Sequence, residues 1–350
     1  MAEQTPTPKF QGWLSHTPAS AEGNMIWGSF EPKLWEADDI DIRITHCGGE
    51  TPYPCCVGHE IIGHAVRVGE NVKKIHVGDR VGVGPQARSC LKAECAECSS
   101  GREVYCAAQV GTYGCVYPDG KGKSYGGYGD YNRTHQRFVV RIPYGLASED
   151  AAPMLCAGIT VFWPLKRYGC GGGGKKIGVV GVGGLGHFAV LFAKAMGAEE
   201  VVGISRSASK KQEVLELGAT RYIASSDEGW AEENARSLDL VICTVSGSRM
   251  PLDDYLKLLK VGGTFVQVGA PDNGDLPRVN AFALIFNNVN LAGSAAGSPH
   301  EIEEMLQFAV DHNVKARVQV RPLSEANQVI KDMEAGKARY RYVLENTKHL

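Results

Sequence analysis

The sequence predicts a two-part α/β protein: a β-rich first part, a doubly wound parallel sheet, and a tail of helices and strand. Three observations carry this. Up to about residue 147, short runs alternate apolar and polar residues with the period of half-buried strands, as in Asp39-Ile40-Asp41-Ile42-Arg43-Ile44. From about residue 148, short apolar strands alternate with helical segments, the signature of parallel strands joined by crossover helices. Within that second part, Val179-Val180-Gly181-Val182-Gly183-Gly184-Leu185-Gly186 places a glycine turn directly between an apolar strand and a helix.

In the first part, His59 to Val68 leads into a strand, Gly78 to Val83 follows a turn into another, and Phe138 to Pro143 closes the section. The second part opens with a helix over Ala151–Tyr168, interrupted near Pro164, because proline lacks a donor and crowds the preceding turn. Then follow strand Lys176–Val180, helix His187–Met196, strand Val201–Ser205, helix Lys210–Leu217 and strand Tyr222–Ala224. Strands Leu238–Cys243 and Thr264–Val268 flank a helix over Leu252–Leu259. The tail carries helices at Glu301–His312 and Ser324–Ala335 and a strand at Arg341–Leu344.

With 350 residues, of which 43% are apolar, the chain has room for two domains with cores of their own. A formal net charge of −2 gives no electrostatic case for nucleic acid or an anionic membrane as partner. No apolar run is long enough for a membrane helix, and the opening residues lack the basic start and apolar run of a signal peptide, so a cytoplasmic location is expected.

The glycine turn points to a dinucleotide. Gly181 permits the tight turn, Gly183 lets a pyrophosphate approach the backbone, and Gly186 allows close helix–strand packing. The helix start then offers N–H groups to the phosphates, with Val182, Gly184 and Leu185 completing the loop. The competing reading, a glycine-rich turn without a ligand, lacks a reason for the strand–turn–helix context. At the end of the next strand NAD-binding folds usually carry an acid for the ribose hydroxyl. Here the text is Ser205-Arg206-Ser207-Ala208-Ser209-Lys210-Lys211, without a carboxylate. Arg206 with Lys210 or Lys211 suits a 2′-phosphate, and Ser205 and Ser207 are neutral donors, so NADP is expected over NAD. A solvated basic loop capping the next helix is the alternative.

Of eleven cysteines, four stand as Cys90-x4-Cys95-x2-Cys98-x7-Cys106. Four thiolates on one loop can close a tetrahedron around zinc and leave no position for substrate, so this site is expected to be structural.

Together these features resemble the zinc-containing medium-chain alcohol dehydrogenases, in particular the cinnamyl alcohol dehydrogenase branch with its fungal NADP-dependent enzymes. The likeness rests on Gly58-His59-Glu60-x-x-Gly63, on Val77 to Val83, on the four-cysteine lobe and on Ala152-Pro153-Met154-Leu155-Cys156-Ala157-Gly158-Ile159-Thr160. It continues through the glycine turn, Ser205-Arg206-Ser207 and the tail Ala338 to Val343. It implies a GroES-like catalytic domain over 1–147 and 293–350, with the zinc lobe at about 88–108, and a Rossmann domain over 148–292. It implies a homodimer, a small alcohol or aldehyde as substrate, and hydride transfer with NADP(H). The family's cofactor contacts fall on Thr160, the glycine turn, Ser205 to Lys211, Gly269 and Ser294, Ala295 and Ala296. Trp163, Phe286 and the region near Tyr113 are candidates for the substrate wall, with ordinary core packing an equal alternative for Trp163.

The resemblance also implies a second, catalytic zinc on a cysteine, a histidine with its adjoining glutamate, and a second cysteine. His59, Glu60 and Cys156 match three of these places. The family's C-G-x-C-G-[ST]-D-x-H stretch does not continue past Cys47-Gly48: roughly a dozen residues are absent before Gly58-His59. Those residues would carry the zinc cysteine, the relay groups and an orienting aspartate. Three alternatives follow. Cys47 or His46 replaces the lost ligand; zinc is held weakly by His59, Glu60 and Cys156; or no catalytic zinc binds. The last would leave a zinc-independent reductase of activated double bonds or an NADP-binding protein without turnover.

Overall fold

The computed structural model describes residues 8–47, 53–247, 249–270 and 274–349, with the side chains of His46, Cys47 and His349 outside the description. The chain divides into two compact units, Met1–Cys156 with Gly297–Leu350, and Ala157–Ala296.

The first unit is built on β1 (Asp39–Cys47), which pairs antiparallel with β2 (Ile61–Val68). Ile40, Ile42 and Ile44 are fully buried, as their alternation demands. The acids between them are buried too, because they are paired. Asp41 takes two hydrogen bonds from Arg133, at 2.7 and 3.0 Å, and Asp39 accepts one from Lys33 at 2.6 Å. Gly63 on β2 is obligatory: a Cβ there would lie 2.1 Å from the Arg43 carbonyl oxygen. Beyond β2 lie β3 (Arg80–Val83) and, after β4 (Tyr131–His135) has paired with β1, β5 (Val139–Arg141) beside β3. A smaller sheet of Gln11–Ser15, Ile26–Ser29 and Cys55–Cys56 stands apart, and its cysteines are fully buried.

The expected break in the first helix moves. Helix α1 (Ser148–Pro153) runs into a π-helical turn over Met154–Gly158, and α2 (Ile159–Arg167) continues straight through Pro164. Pro164 removes one donor, but its carbonyl still accepts from Tyr168 N–H at 3.0 Å, so the ladder resumes. The irregularity falls after Pro153, where the turn widens and carries Cys156.

The second unit holds a parallel six-stranded sheet. In chain order its elements are β6 (Lys176–Val180), α3 (Gly186–Ala195), β7 (Glu200–Ser205), β8 (Arg221–Ala224), β9 (Leu238–Cys243), β10 (Leu259–Gln267) and β11 (Asn290–Gly293). The strands lie in the order β8-β7-β6-β9-β10-β11, so the order of strand addition switches sides between β6 and β9. Ligands of such sheets bind beyond the carboxyl ends of the strands at that switch.

The tail returns to the first unit. It contributes α4 (Pro299–Asp311), β12 (Val318–Pro322), α5 (Ala326–Glu334) and β13 (Arg341–Glu345). β13 pairs with β1 at Leu344–Cys47 and Glu345–His46. Among the described residues no helix is long and apolar enough to cross a membrane.

Candidate active site and metal centres

The four-cysteine lobe is framed by the paired strands Gln86–Arg88 and Val110–Gly111. The sulfurs of Cys90, Cys95, Cys98 and Cys106 all lie within 4.8 Å of one another. Cys90 is 3.6 Å from both Cys98 and Cys106, and none of the four is in a disulfide. Zinc–sulfur bonds of tetrahedral geometry need sulfur–sulfur edges of about 3.8 Å, so the cage has the right size. Burial works against ionisation of the Cys106 thiol. Backbone N–H groups at Cys90 and Ala108 and the neighbouring thiols outweigh it and bring the group down to about 7. Glu103 inside the lobe is buried and clasped from outside by Arg137 at 2.7 Å, while Gln86 donates to its carbonyl at 2.7 Å.

A second group forms at the start of β2. Gly58, at φ 103°, turns the chain so that His59 and Glu60 follow at the strand's entry. Their ligand atoms and the Cys156 sulfur lie within 4.8 Å of one another. Cys156 reaches this place because the π-helical turn displaces it from an α-helical position, a distortion common at functional sites. Burial, helped by the charge of Arg341, pushes the His59 imidazole down to about 4. The ring is therefore neutral at pH 7, the form that ligates a metal. Tyr113 stacks on it with centroids 5.5 Å apart, and Arg341 lies 3.8 Å from the buried Glu60 carboxylate. Cys47 closes β1, but its side chain and residues 48–52 lie outside the described residues.

In the second unit the glycine turn has the three properties its sequence predicts. Gly181 has φ 82°. A Cβ on Gly186 would strike the Gly181 carbonyl oxygen at 2.1 Å, whereas a Cβ on Gly183 would meet nothing within 4 Å. Open space over Gly183 is what a pyrophosphate needs.

This turn forms one wall of a cavity of about 840 Å³. Val180 to Leu185, Ile204 to Ser207, Ser209 and Lys210 line one side; Ser225, Thr244 to Gly247, Arg249 to Pro251 and Tyr255 line the other. Three cations, Arg206, Lys210 and Arg249, face it, and among the described residues no carboxylate does.

Two family models match the chain: an alcohol dehydrogenase GroES-like domain over residues 36–144, and a zinc-binding dehydrogenase domain over 184–311. The NADP-dependent alcohol dehydrogenase 6 of Saccharomyces cerevisiae is 40% identical over 333 residues, 90% of this chain and 91% of that one. The chain belongs to the zinc-binding alcohol dehydrogenase family. Solved structures agree. A cinnamyl alcohol dehydrogenase of Sorghum bicolor superposes with a TM-score of 0.90 at 36% identity, over 97% of this chain and 98% of that one. That of Helicobacter pylori, complexed with NADP(H), gives 0.86 at 31% identity over 98% and 99%.

Within this alcohol dehydrogenase the residues singled out from sequence fall into separate groups. The four cysteines gather in one cage, and His59, Glu60 and Cys156 in another. Gly181 to Leu185, Ser205, Arg206, Ser207 and Lys210 share the cavity. Gly186 lies behind its wall as the first residue of α3, and Lys211 starts the next helix outside the lining. Thr160, Gly269, Ser294, Ala295 and Ala296 do not line it either. Gly269 packs against the Thr244 carbonyl that does, 2.6 Å from where its Cβ would be, and Ser294 N–H bonds the Gln267 carbonyl at 3.2 Å. Thr160 is buried within α2, and Phe286 is exposed at the surface of the second unit.

Sequence reasoning missed Arg249, Tyr255 and Arg341. The signal for Arg249 was its place just after the strand Leu238–Cys243, where a doubly wound sheet brings a loop to its ligand.

Proposed function

We propose that the chain interconverts an alcohol and an aldehyde by hydride transfer with NADP(H), assisted by zinc held at His59, Cys156 and Cys47, with the Glu60 carboxylate beside it. The observation that carries the cofactor reading is the cavity with three cations and no carboxylate among its described lining residues. A 2′-phosphate bears two negative charges at neutral pH, and guanidinium groups recognise it by paired hydrogen bonds. The glycine turn orients the pyrophosphate at the start of α3, where a helix presents backbone N–H groups to an anion.

The donor sets fit zinc in both places. The cysteine cage supplies four sulfurs at tetrahedral spacing, so it is proposed as the structural site. The second set supplies a neutral imidazole, a thiol and a carboxylate, and a catalytic site needs three protein ligands and one open position. When bound there, zinc supplies a Lewis acid for the carbonyl oxygen, and NADPH supplies the hydride. The side chains do the rest: Tyr113 fixes the plane of His59 by stacking, and Arg341 neutralises Glu60. Cys47 is the third ligand proposed across the shortened loop, so that Glu60 stays with Arg341 and one position remains open.

We also propose a cytoplasmic homodimer. Strand β11 is an edge of the parallel sheet, and Phe282, Ile285 and Phe286 beside it in sequence are each more than 60% exposed. An open edge with exposed aromatics invites pairing with a second copy.

Reduction of an aromatic aldehyde with NADPH and NADH in parallel tests the central reading. A kcat/KM at least about 100-fold higher with NADPH is expected, as two charge-assisted contacts would give. Equal rates, or preference for NADH, would exclude it.

A further inference from the structure

We infer that Ser209 is a phosphorylation site, and that a phosphate on it takes the place of the cofactor's 2′-phosphate and suppresses the NADPH-dependent reaction. The inference rests on the NADP reading above.

Ser209 lies in the short helical turn Ala208–Lys210, between β7 and the helix Lys211–Glu216. The residue is exposed and lines the cofactor cavity, and its hydroxyl is 3.0 Å from that of Ser207. Arg206 stands three residues before it, and Lys210 and Lys211 follow directly. From Val201 to Gln212 the chain carries no carboxylate. Protein kinases select serines by the charge pattern around them, and basic residues on both sides suit the kinases that read cations. Other exposed serines stand close to acids instead: Ser99 to Glu97, Ser226 to Asp227 and Ser324 to Glu325.

The cavity that Ser209 faces is already suited to a phosphate. Arg206, Lys210 and Arg249 line it together with Ser209, and among the described residues no carboxylate does. Among the described residues none of these cations is in an ion pair, and the Lys210 ammonium meets the Val182 carbonyl at 3.5 Å. Burial raises the Tyr255 phenol and the Arg206 charge opposes that rise, so the guanidinium lies within reach of the opposite wall.

A serine phosphate bears nearly two negative charges at neutral pH and three acceptor oxygens, the same equipment as a ribose 2′-phosphate. Tethered to the cavity wall, it acts at an effective concentration of about a millimolar and repels a second dianion. NADH lacks that dianion and is spared. The modification is a phosphoryl transfer from ATP. The Ser209 oxygen bonds to the γ-phosphorus as the bond to the β–γ bridging oxygen breaks, ADP leaves, and the hydroxyl proton passes to the kinase's catalytic aspartate. Bound NADP covers Ser209, so the cofactor-free protein is the form that is modified.

The test treats the zinc-loaded protein with MgATP and the catalytic fragment of a protein kinase C, with and without saturating NADP, and locates phosphate by peptide mass spectrometry. After gel filtration, aldehyde reduction is measured with NADPH and with NADH, each against the same protein before treatment. Phosphate is expected at Ser209, and NADP should block its uptake. The kcat/KM for NADPH should then fall about 100-fold and that for NADH change by less than about threefold. Ser209→Ala should keep its own rates through the treatment. Phosphoserine installed at position 209 by genetic encoding should reproduce the loss without a kinase. No phosphate at Ser209 in the cofactor-free protein, installed phosphoserine that leaves the NADPH rate unchanged, or equal losses with both cofactors would overturn the proposal and leave the NADP reading standing. Equal rates with NADPH and NADH before any treatment would overturn the NADP reading, and this proposal with it.

Discussion

The Arg341 guanidinium lies 3.8 Å from the Glu60 carboxylate, which is 5% exposed and adjoins His59 in the chain. The contact joins the returning tail to the entry of β2. It gives Glu60 a partner other than a metal, and it is one reason that His59 stays neutral. A catalytic zinc on His59, Cys156 and Cys47 needs an open position, so a neighbouring carboxylate engaged elsewhere is functionally useful.

Arg341→Ala should therefore leave the zinc content unchanged and lower kcat about tenfold, because the released carboxylate closes the open position. Elemental analysis alongside steady-state rates decides it. An unchanged kcat would remove the ion pair from the account.

Arg206→Ala combined with Lys210→Ala should lower kcat/KM for NADPH about 100-fold and change that for NADH by less than about threefold. Arg249→Ala should have a smaller effect of the same kind. Equal losses with both cofactors would place these cations at the pyrophosphate instead.

The pH dependence of stability follows from His59. Its native value is about 4, against an ordinary 6.5. As pH falls below the ordinary value the unfolded chain takes up a proton that the native state refuses until near 4, so the unfolded state binds more protons in that window. Stability should therefore be greatest above the window and fall as pH drops from 6.5 toward 4, by about 2 kcal/mol for this half-buried residue. His64 and His135, both lowered mainly by burial, act in the same direction. Urea midpoints of chelator-treated protein at pH 7.5 and pH 5 measure it. His59→Gln should flatten the slope.

Phe286→Glu should convert a dimer to a monomer, because it places charge on an exposed aromatic beside the open strand edge. Light scattering behind gel filtration reads the mass directly. A wild-type monomer, or a mutant that stays dimeric, would exclude this face.

What was legible in the sequence was local. The glycine turn could be read because strand, turn and helix are contiguous, and the cysteine cage because its ligands lie on one loop. His59 and Glu60 could be read from the motif that holds them. What escaped depends on residues far apart in the chain. Arg341 meets Glu60 only because β13 packs beside β1, and Arg249 joins Arg206 only through the order of strands in the sheet. The strands Gln11–Ser15 and Cys55–Cys56 are too short to announce themselves and exist through pairing, with each other and with Ile26–Ser29. Pro164 looked like the breaker of its helix by composition. The helix instead widens after Pro153, and that widening brings Cys156 to His59.

Zinc per protomer, measured without chelator in the wild type, His59→Ala and Cys47→Ala, tests the central claim most directly. The account predicts about two zinc ions in the wild type and about one in each variant, the remaining ion held by the cysteine cage. About one zinc ion in all three proteins would contradict it: the second site would then hold no metal, and hydride transfer in this chain would proceed without zinc.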